Sequence, residues 1–352
     1  MLFILHRTKK NKSMKALVHT RPYLFEIQEV PDPVPGPTDL LVQVKAVGIC
    51  GSDIHGATGK TRRRKPPVIM GHEASGVVIQ KGINTTSFAI GDRITFDSTI
   101  YCGTCNYCKT KRMNLCDNRR VLGVSCDEYR QEGAMADYIV IPERIAYPIP
   151  DILSFEQACM VETLSVAMHA VQSTLPVAGR KIAVIGTGLI GLLIVQVLKT
   201  EGYKDLFAFD LDEDRLNLAK KFGATATINL SNRKQSFQSF FSRMDAVFDA
   251  IGIEESVQTC TKLIQKGGTI TMVGNLAPSV SLPLQEIVTK EITYRGSCAS
   301  AGEYPESIRR ISTGEINVEP LISKVVSLEE GIDYFDILIH KKKPLFKVIL
   351  TP

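Results

Sequence analysis

A chain of 352 residues, 44% hydrophobic and 22% charged with 17 prolines, has the length of about two domains, and its composition excludes disordered, collagen-like and coiled-coil proteins. The net charge of +5 is mild and its densest cluster is one run, Arg62-Arg63-Arg64-Lys65, too narrow for the broad basic face of a nucleic-acid binder, and no apolar run approaches the roughly 20 residues that cross a bilayer. Nine cysteines, four of them crowded between Cys102 and Cys116, point to a metal in a reducing, cytoplasmic compartment rather than to a disulfide framework.

In chain order, residues 1–13 place a short apolar run ahead of basic residues, the reverse of a secretory signal; they are expected to be a disordered extension or an overcalled start, and export is not expected. From Met14 to about Pro150, short alternating segments at 40–47, 76–80, 92–96 and 138–141 are punctuated by Gly, Pro and Asp and predict a β-rich, irregular architecture. From Phe155 to Gly296 apolar runs alternate with helical stretches. Strands are predicted at Lys181–Ile185, 206–209, 246–248 and 269–273, and helices at Leu189–Thr200, 213–222 and Glu254–Leu263, a βαβ series with a buried parallel sheet. The remainder predicts helices at 305–312 and 328–338 and a strand at 346–350, and reads as a continuation of the first domain. The expected division is therefore 14–154 with 297–352 as one domain and 155–296 as the other.

The strongest local signal is Cys102, Cys105, Cys108 and Cys116, spaced C-x2-C-x2-C-x7-C. Four thiolates close a tetrahedral shell around Zn²⁺ with no open position, which makes the site structural. Neither a ferredoxin run nor the paired C-x2-C of a zinc ribbon has this spacing. A second set is dispersed: Cys50, His72-Glu73 and Glu162. One thiolate, one imidazole and one carboxylate would leave a position on zinc for substrate. Taken singly, each has a bland alternative: Cys50 a small buried hydrophobe, His72 a core histidine, Glu162 a first-turn helix acid. The third signal is the strand Lys181–Ile185 running into Gly186-Thr-Gly188-Leu189-Ile190-Gly191, then a helix, a second strand and Asp210, 24 residues after Gly186. The glycines allow a tight turn, close approach of backbone N–H groups to a pyrophosphate and tight helix packing, and Asp210 accepts from ribose hydroxyls and repels a 2′-phosphate, which selects NAD.

With these residues in order, the chain from Met14 onward resembles the zinc-containing medium-chain alcohol dehydrogenases, in particular the sorbitol (polyol) dehydrogenase branch. The resemblance implies an α/β fold in which a GroES-like β-rich catalytic domain is interrupted by a Rossmann doubly wound parallel-sheet domain. It implies catalytic zinc at Cys50, His72 and Glu73, with Glu162 ligating zinc or holding its water. It places Ser52 and His55 on a proton relay and Asp53 behind the zinc histidine. Bland alternatives for the pair Ser52 and Asp53 are a helix N-cap and a first-turn acid. It also sets Arg215 beside the adenosine ribose and Val273, Gly274 and Asn275 beside the nicotinamide, and it implies a homo-oligomer, tetramer or dimer.

The departures bear on substrate. Thr163 replaces the branch's proline, Gly56 stands where sorbitol enzymes carry tyrosine, 297–300 replaces a stretch that supplies arginine and tyrosine, and Thr99 stands where threonine dehydrogenases place histidine. The reading is thus an NAD-dependent zinc dehydrogenase oxidising a secondary alcohol of a polyol-like small molecule other than sorbitol. Its rivals are a threonine- or butanediol-type enzyme and a non-catalytic zinc- and nucleotide-binding protein. Arg62, Arg63 and Arg64 are expected to form a solvated loop rather than an anion site, His169 to be a packing residue, and Cys126, Cys159, Cys260 and Cys298 to be buried thiols.

Overall fold

The computed structural model describes residues 13–174, 176, 181–232 and 237–352. The chain divides into two units, one of the described residues up to Ile100 with Arg120–Cys159 and Ile322–Pro352, the other of Tyr101–Arg119 and Met160–Leu321.

The first unit is built on the strand Asp39–Gly48, in which Leu40, Val42, Val44 and Ala46 alternate onto one fully buried face, the period-two pattern of a packed strand. It pairs antiparallel with Glu73–Lys81, Tyr138–Pro142 and the closing strand Lys347–Thr351, which in turn lies parallel to Ile322–Ser327. Gly48 faces Glu73 across the ladder. Cys50, just past one strand, and His72, just before the other, therefore leave the same end of the sheet. Of the expected extension, 1–12 lies outside the described residues, whereas Ser13 already belongs to the strand Ser13–Arg21, paired with Leu24–Pro31.

The second unit holds six parallel strands in the order Ala226–Asn229, Asp205–Asp210, Lys181–Ile185, Met244–Asp249, Ile264–Met272, Thr293–Gly296. In the unit's own chain order this is 3-2-1-4-5-6, the doubly wound arrangement whose switch point lies between the strands beginning at Lys181 and Met244. Ala183, Ile185, Phe209, Val247 and Ile270 form its core.

The boundaries differ from expectation: 101–119 and 297–321 group with the parallel sheet. Polar side chains explain why. Asn114 Nδ2 donates to the Cys298 carbonyl at 2.8 Å, and Arg310 on the helix Tyr304–Ser312 donates to Thr200 Oγ1 and Glu201 at 2.8 and 2.7 Å. Ser307 and Ser165 share a hydrogen bond of 2.9 Å. The helix Phe155–Thr174 was not delimited by periodicity because its middle is buried on every side, from Ala158 through Leu164, leaving no polar stripe to mark a face. Among the described residues no helix is long and apolar enough to cross a membrane.

Candidate metal centres and nucleotide site

Within 101–119, a short helix, Asn106–Lys109, starts directly after Cys105, and its turn brings Cys108 back toward Cys102. The sulfurs of Cys102, Cys105, Cys108 and Cys116 all lie within 4.8 Å of one another, and Cys102 and Cys108 are 3.9 Å apart. That is too far for a disulfide and close to the roughly 3.8 Å edge of a tetrahedron with Zn–S bonds of about 2.3 Å. Donors converge on these sulfurs. Cys102 Sγ accepts from Thr104 N and Oγ1 and from Cys105 N at 3.3–3.5 Å, and Cys116 Sγ from Cys102 N at 3.2 Å. The Thr104 hydroxyl, then the backbone N–H groups, bring the Cys102 thiol down to about 5, whereas burial and the neighbouring sulfurs push Cys108 up to about 12. Crowded sulfurs furnished with thiolate-stabilising donors fit a divalent cation.

The second group is Cys50, His72 and Glu73, whose ligand atoms also lie within 4.8 Å of one another. Cys50 is the N-cap of the helix Gly51–Ala57: its Sγ accepts from Ser52 N at 3.4 Å while Asp53, at N3, accepts from Cys50 N at 3.2 Å. Ser52 is therefore not the cap. Its Oγ lies 3.3 Å from Cys50 Sγ and 3.5 Å from His72 Nε2. Nδ1 of His72 faces Asp53 Oδ1 at 3.5 Å without completing a hydrogen bond. Burial opposes charge on His72, yet Asp53 and then Cys50 outweigh it and hold the imidazole well above its ordinary value. One thiol, one imidazole and one carboxyl converge there, a donor set that fits a metal ion. Glu73 is 1% exposed and forms a buried ion pair with Lys347, whose Nζ also donates to the Ile49 carbonyl. His55 is exposed on the same short helix. Partial desolvation, then the ammonium groups of Lys341 and Lys60, hold its pKa below the ordinary value.

Sequence reasoning missed two residues here. Lys347 gave no signal, since a lysine near a chain end reads as solvated. Arg64 was hidden in its basic run: Arg62 and Arg63 are exposed as expected, but Arg64 is 5% exposed and its guanidinium lies against Asp53, which corrects the solvated-loop reading at that position. Glu162 belongs to the second unit and is not part of the trio; it lies buried well inside the helix Phe155–Thr174 rather than in its first turn. His169 is held between Glu303 Oε1 at 2.7 Å and Asn114 at 3.3 Å. Cys159 and Cys260 are buried, but Cys126 is half-buried and Cys298 exposed, its Sγ accepting from Arg119.

At the nucleotide motif, Gly186 has φ +86°, and a Cβ on Gly191 would lie 1.9 Å from the Gly186 carbonyl oxygen, so neither position admits a side chain. Gly188 caps the helix Leu189–Thr200 without any side-chain acceptor, and open space lies where its Cβ would be. The first N–H groups of a helix have no partner within it, and those following Gly188 meet no capping side chain, the arrangement that receives a pyrophosphate. Asp210 ends its strand with both oxygens fixed, Oδ2 by Thr187 N and Oγ1 at 2.6 and 2.9 Å, Oδ1 by Leu211 N and Asp212 N at 2.7 and 3.1 Å. Arg215 stands on the following helix, its N–H donating to Asp212 at 3.2 Å. Val273, Gly274 and Asn275 follow the carboxyl end of Ile264–Met272, the end at which such sheets bind ligands.

The family model of the alcohol dehydrogenase GroES-like domain matches residues 36–151, and that of zinc-binding dehydrogenases matches 190–313. The chain is 34% identical over 339 residues to D-arabitol-phosphate dehydrogenase of Enterococcus avium, covering 93% of this chain and 94% of the relative. It is 34% identical over 325 residues to D-xylulose reductase A of Aspergillus niger, covering 89% of each. A solved structure described as a zinc-binding dehydrogenase from Sinorhizobium meliloti 1021, bound to NADP, superposes with a TM-score of 0.86 at 31% identity, covering 97% of this chain and 100% of that one. The GroES-like and Rossmann-type architecture and these relatives agree, and the chain belongs to the zinc-dependent medium-chain alcohol and polyol dehydrogenase family.

Proposed function

We propose that this enzyme oxidises a secondary alcohol of a polyol-like substrate, R₂CHOH + NAD⁺ → R₂C=O + NADH + H⁺. The observation that carries this is the Ser52 hydroxyl within reach of both Cys50 Sγ and His72 Nε2, beside a trio whose ligand atoms lie within 4.8 Å. Cys50, His72 and Glu73 hold the catalytic zinc, and the resemblance adds Glu162 to its acids. A zinc ion held there would polarise the substrate hydroxyl and lower its pKa, and a bound NAD⁺ would supply the hydride acceptor. Ser52 Oγ accepts the hydroxyl proton while passing its own onward, and the exposed His55 delivers it to solvent. Asp53 orients His72. Cys102, Cys105, Cys108 and Cys116 hold a second, structural zinc.

In the second unit, the N–H groups from Gly188 to Gly191 receive the pyrophosphate, Asp210 and Arg215 the adenosine ribose, and Val273, Gly274 and Asn275 the nicotinamide. The fixed Asp210 carboxylate supports NAD over NADP, because a 2′-phosphate would place like charges together. Unpaired cysteines throughout support action in a reducing cytoplasm, and the resemblance supports a homo-oligomer, dimer or tetramer. The test is a panel of polyols and their phosphates with NAD⁺ and NADP⁺, following absorbance of the reduced coenzyme. Turnover of a polyol with NAD⁺ is expected; activity confined to simple monoalcohols, or equal efficiency with both coenzymes, contradicts the reading.

A further inference from the structure

Arg64 has no part in the chemistry above, yet it is buried where its neighbours are exposed. Its Nε and one terminal nitrogen donate to Asp53 Oδ1 at 3.3 and 3.0 Å, the same terminal nitrogen reaches Ser52 Oγ at 3.3 Å, and the other donates to the Arg63 carbonyl at 3.2 Å. These bonds commit the guanidinium to the chain, so it is not placed to receive an anionic substrate. Space for it depends on Gly56: a Cβ there would lie 2.1 Å from Arg64 Cγ and 3.0 Å from its Cβ.

An arginine only donates. Its bond to Ser52 Oγ therefore occupies one lone pair, turns the O–H toward Cys50 Sγ or His72 Nε2, and leaves the other lone pair to accept a proton. Its grip on Asp53 Oδ1 fixes the oxygen that faces His72 Nδ1. We propose that Arg64 is a positioning residue for the alcohol oxidation, setting the Ser52 hydroxyl rotor and, through Asp53, the His72 ring, and that Gly56 is the position that admits it. This rests on Ser52 carrying the proton.

Arg64→Ala strands the buried Asp53 carboxylate, so the test uses Arg64→Lys, which keeps the charge but cannot span Asp53 and Ser52 together, and Gly56→Ala, which keeps every polar group and displaces only the Arg64 stem. Both are expected to lower kcat per bound zinc about tenfold with KM within about twofold, and to release zinc to a chelator about tenfold faster, with the melting temperature little changed. In a Ser52→Ala background, Arg64→Lys should cost no further kcat while still speeding zinc release. Unchanged kcat and zinc release in both variants, or a full additional loss of kcat in the Ser52→Ala background, overturns the inference. Wild-type turnover in Ser52→Ala alone instead removes the proton path and the Ser52 half of this inference, whereas a crippled Ser52→Ala beside an unaffected Arg64→Lys removes the inference alone.

Discussion

The two candidate metal centres assemble their ligands in opposite ways. In the lobe 101–119 four thiols come from one short stretch, and local turns and N–H···S hydrogen bonds suffice to gather them. Cys50, His72 and Glu73 instead meet because two strands pair, with Gly48 opposite Glu73. Their surroundings differ accordingly. The four sulfurs accept hydrogen bonds from Thr104 and from nearby backbone N–H groups, whereas the trio has Ser52, Asp53, Arg64 and Lys347 beside it, groups that move or fix charge. A site that leaves room for reaction needs those extra groups, and a closed one does not.

The comparison breaks most directly at its ligands. Cys50→Ser is expected to cut turnover by about 10³ or more with little change in melting temperature, since several kcal/mol of substrate polarisation go with the metal. Cys105→Ser should do the reverse, lowering unfolding free energy by about 3 kcal/mol or more while residual folded enzyme turns over normally. Calorimetry and steady-state kinetics on both variants check this; equal loss of turnover would erase the distinction. Lys347→Met breaks the buried ion pair with Glu73 and should destabilise the first unit in chemical denaturation, by about 3–5 kcal/mol in zinc-free protein and by less when zinc is bound.

Ser52→Ala should reduce turnover by about 10² with stability nearly intact, because Cys50 and not Ser52 caps the helix. A cap would instead cost about 1 kcal/mol of stability and little rate. Asp210→Ala should raise KM for NAD⁺ about tenfold and narrow the preference over NADP⁺, measured as a ratio of kcat/KM.

The smallest effect lies away from both centres. The Arg309 guanidinium, with Arg310, holds the Glu306 carboxyl down to about 2 against an ordinary 4.5. A carboxyl with a lowered folded-state pKa contributes stability that is present above its unfolded value and is lost as pH falls. The stability gap between wild type and Glu306→Gln, followed by denaturant titration, should therefore be full above pH about 5 and shrink toward pH 2; a gap independent of pH would contradict it.

How much of this was legible depended on whether the signal was local. The four cysteines and the glycine turn carry their geometry in their spacing, and Leu189–Thr200 and Glu254–Leu263 have the bounds that periodicity gave them. Cys50, His72 and Glu73 were legible through resemblance, because strand pairing and not spacing unites them. Arg64 and Lys347 were not legible: a buried cation looks like a surface one until its carboxylate partner is seen across the fold. By their contacts 101–119 and 297–321 lie with the parallel sheet, through bonds such as Asn114 to Cys298 between segments far apart in sequence, while the GroES-like family match runs through 36–151 as expected.

Two independent zinc sites with different tasks are the reading most open to direct measurement. Elemental analysis of fully loaded protein measures it directly: two zinc ions per chain in the wild type, and one each in Cys50→Ser and Cys105→Ser, are predicted. A single zinc in the loaded wild type would rule out the two-site reading.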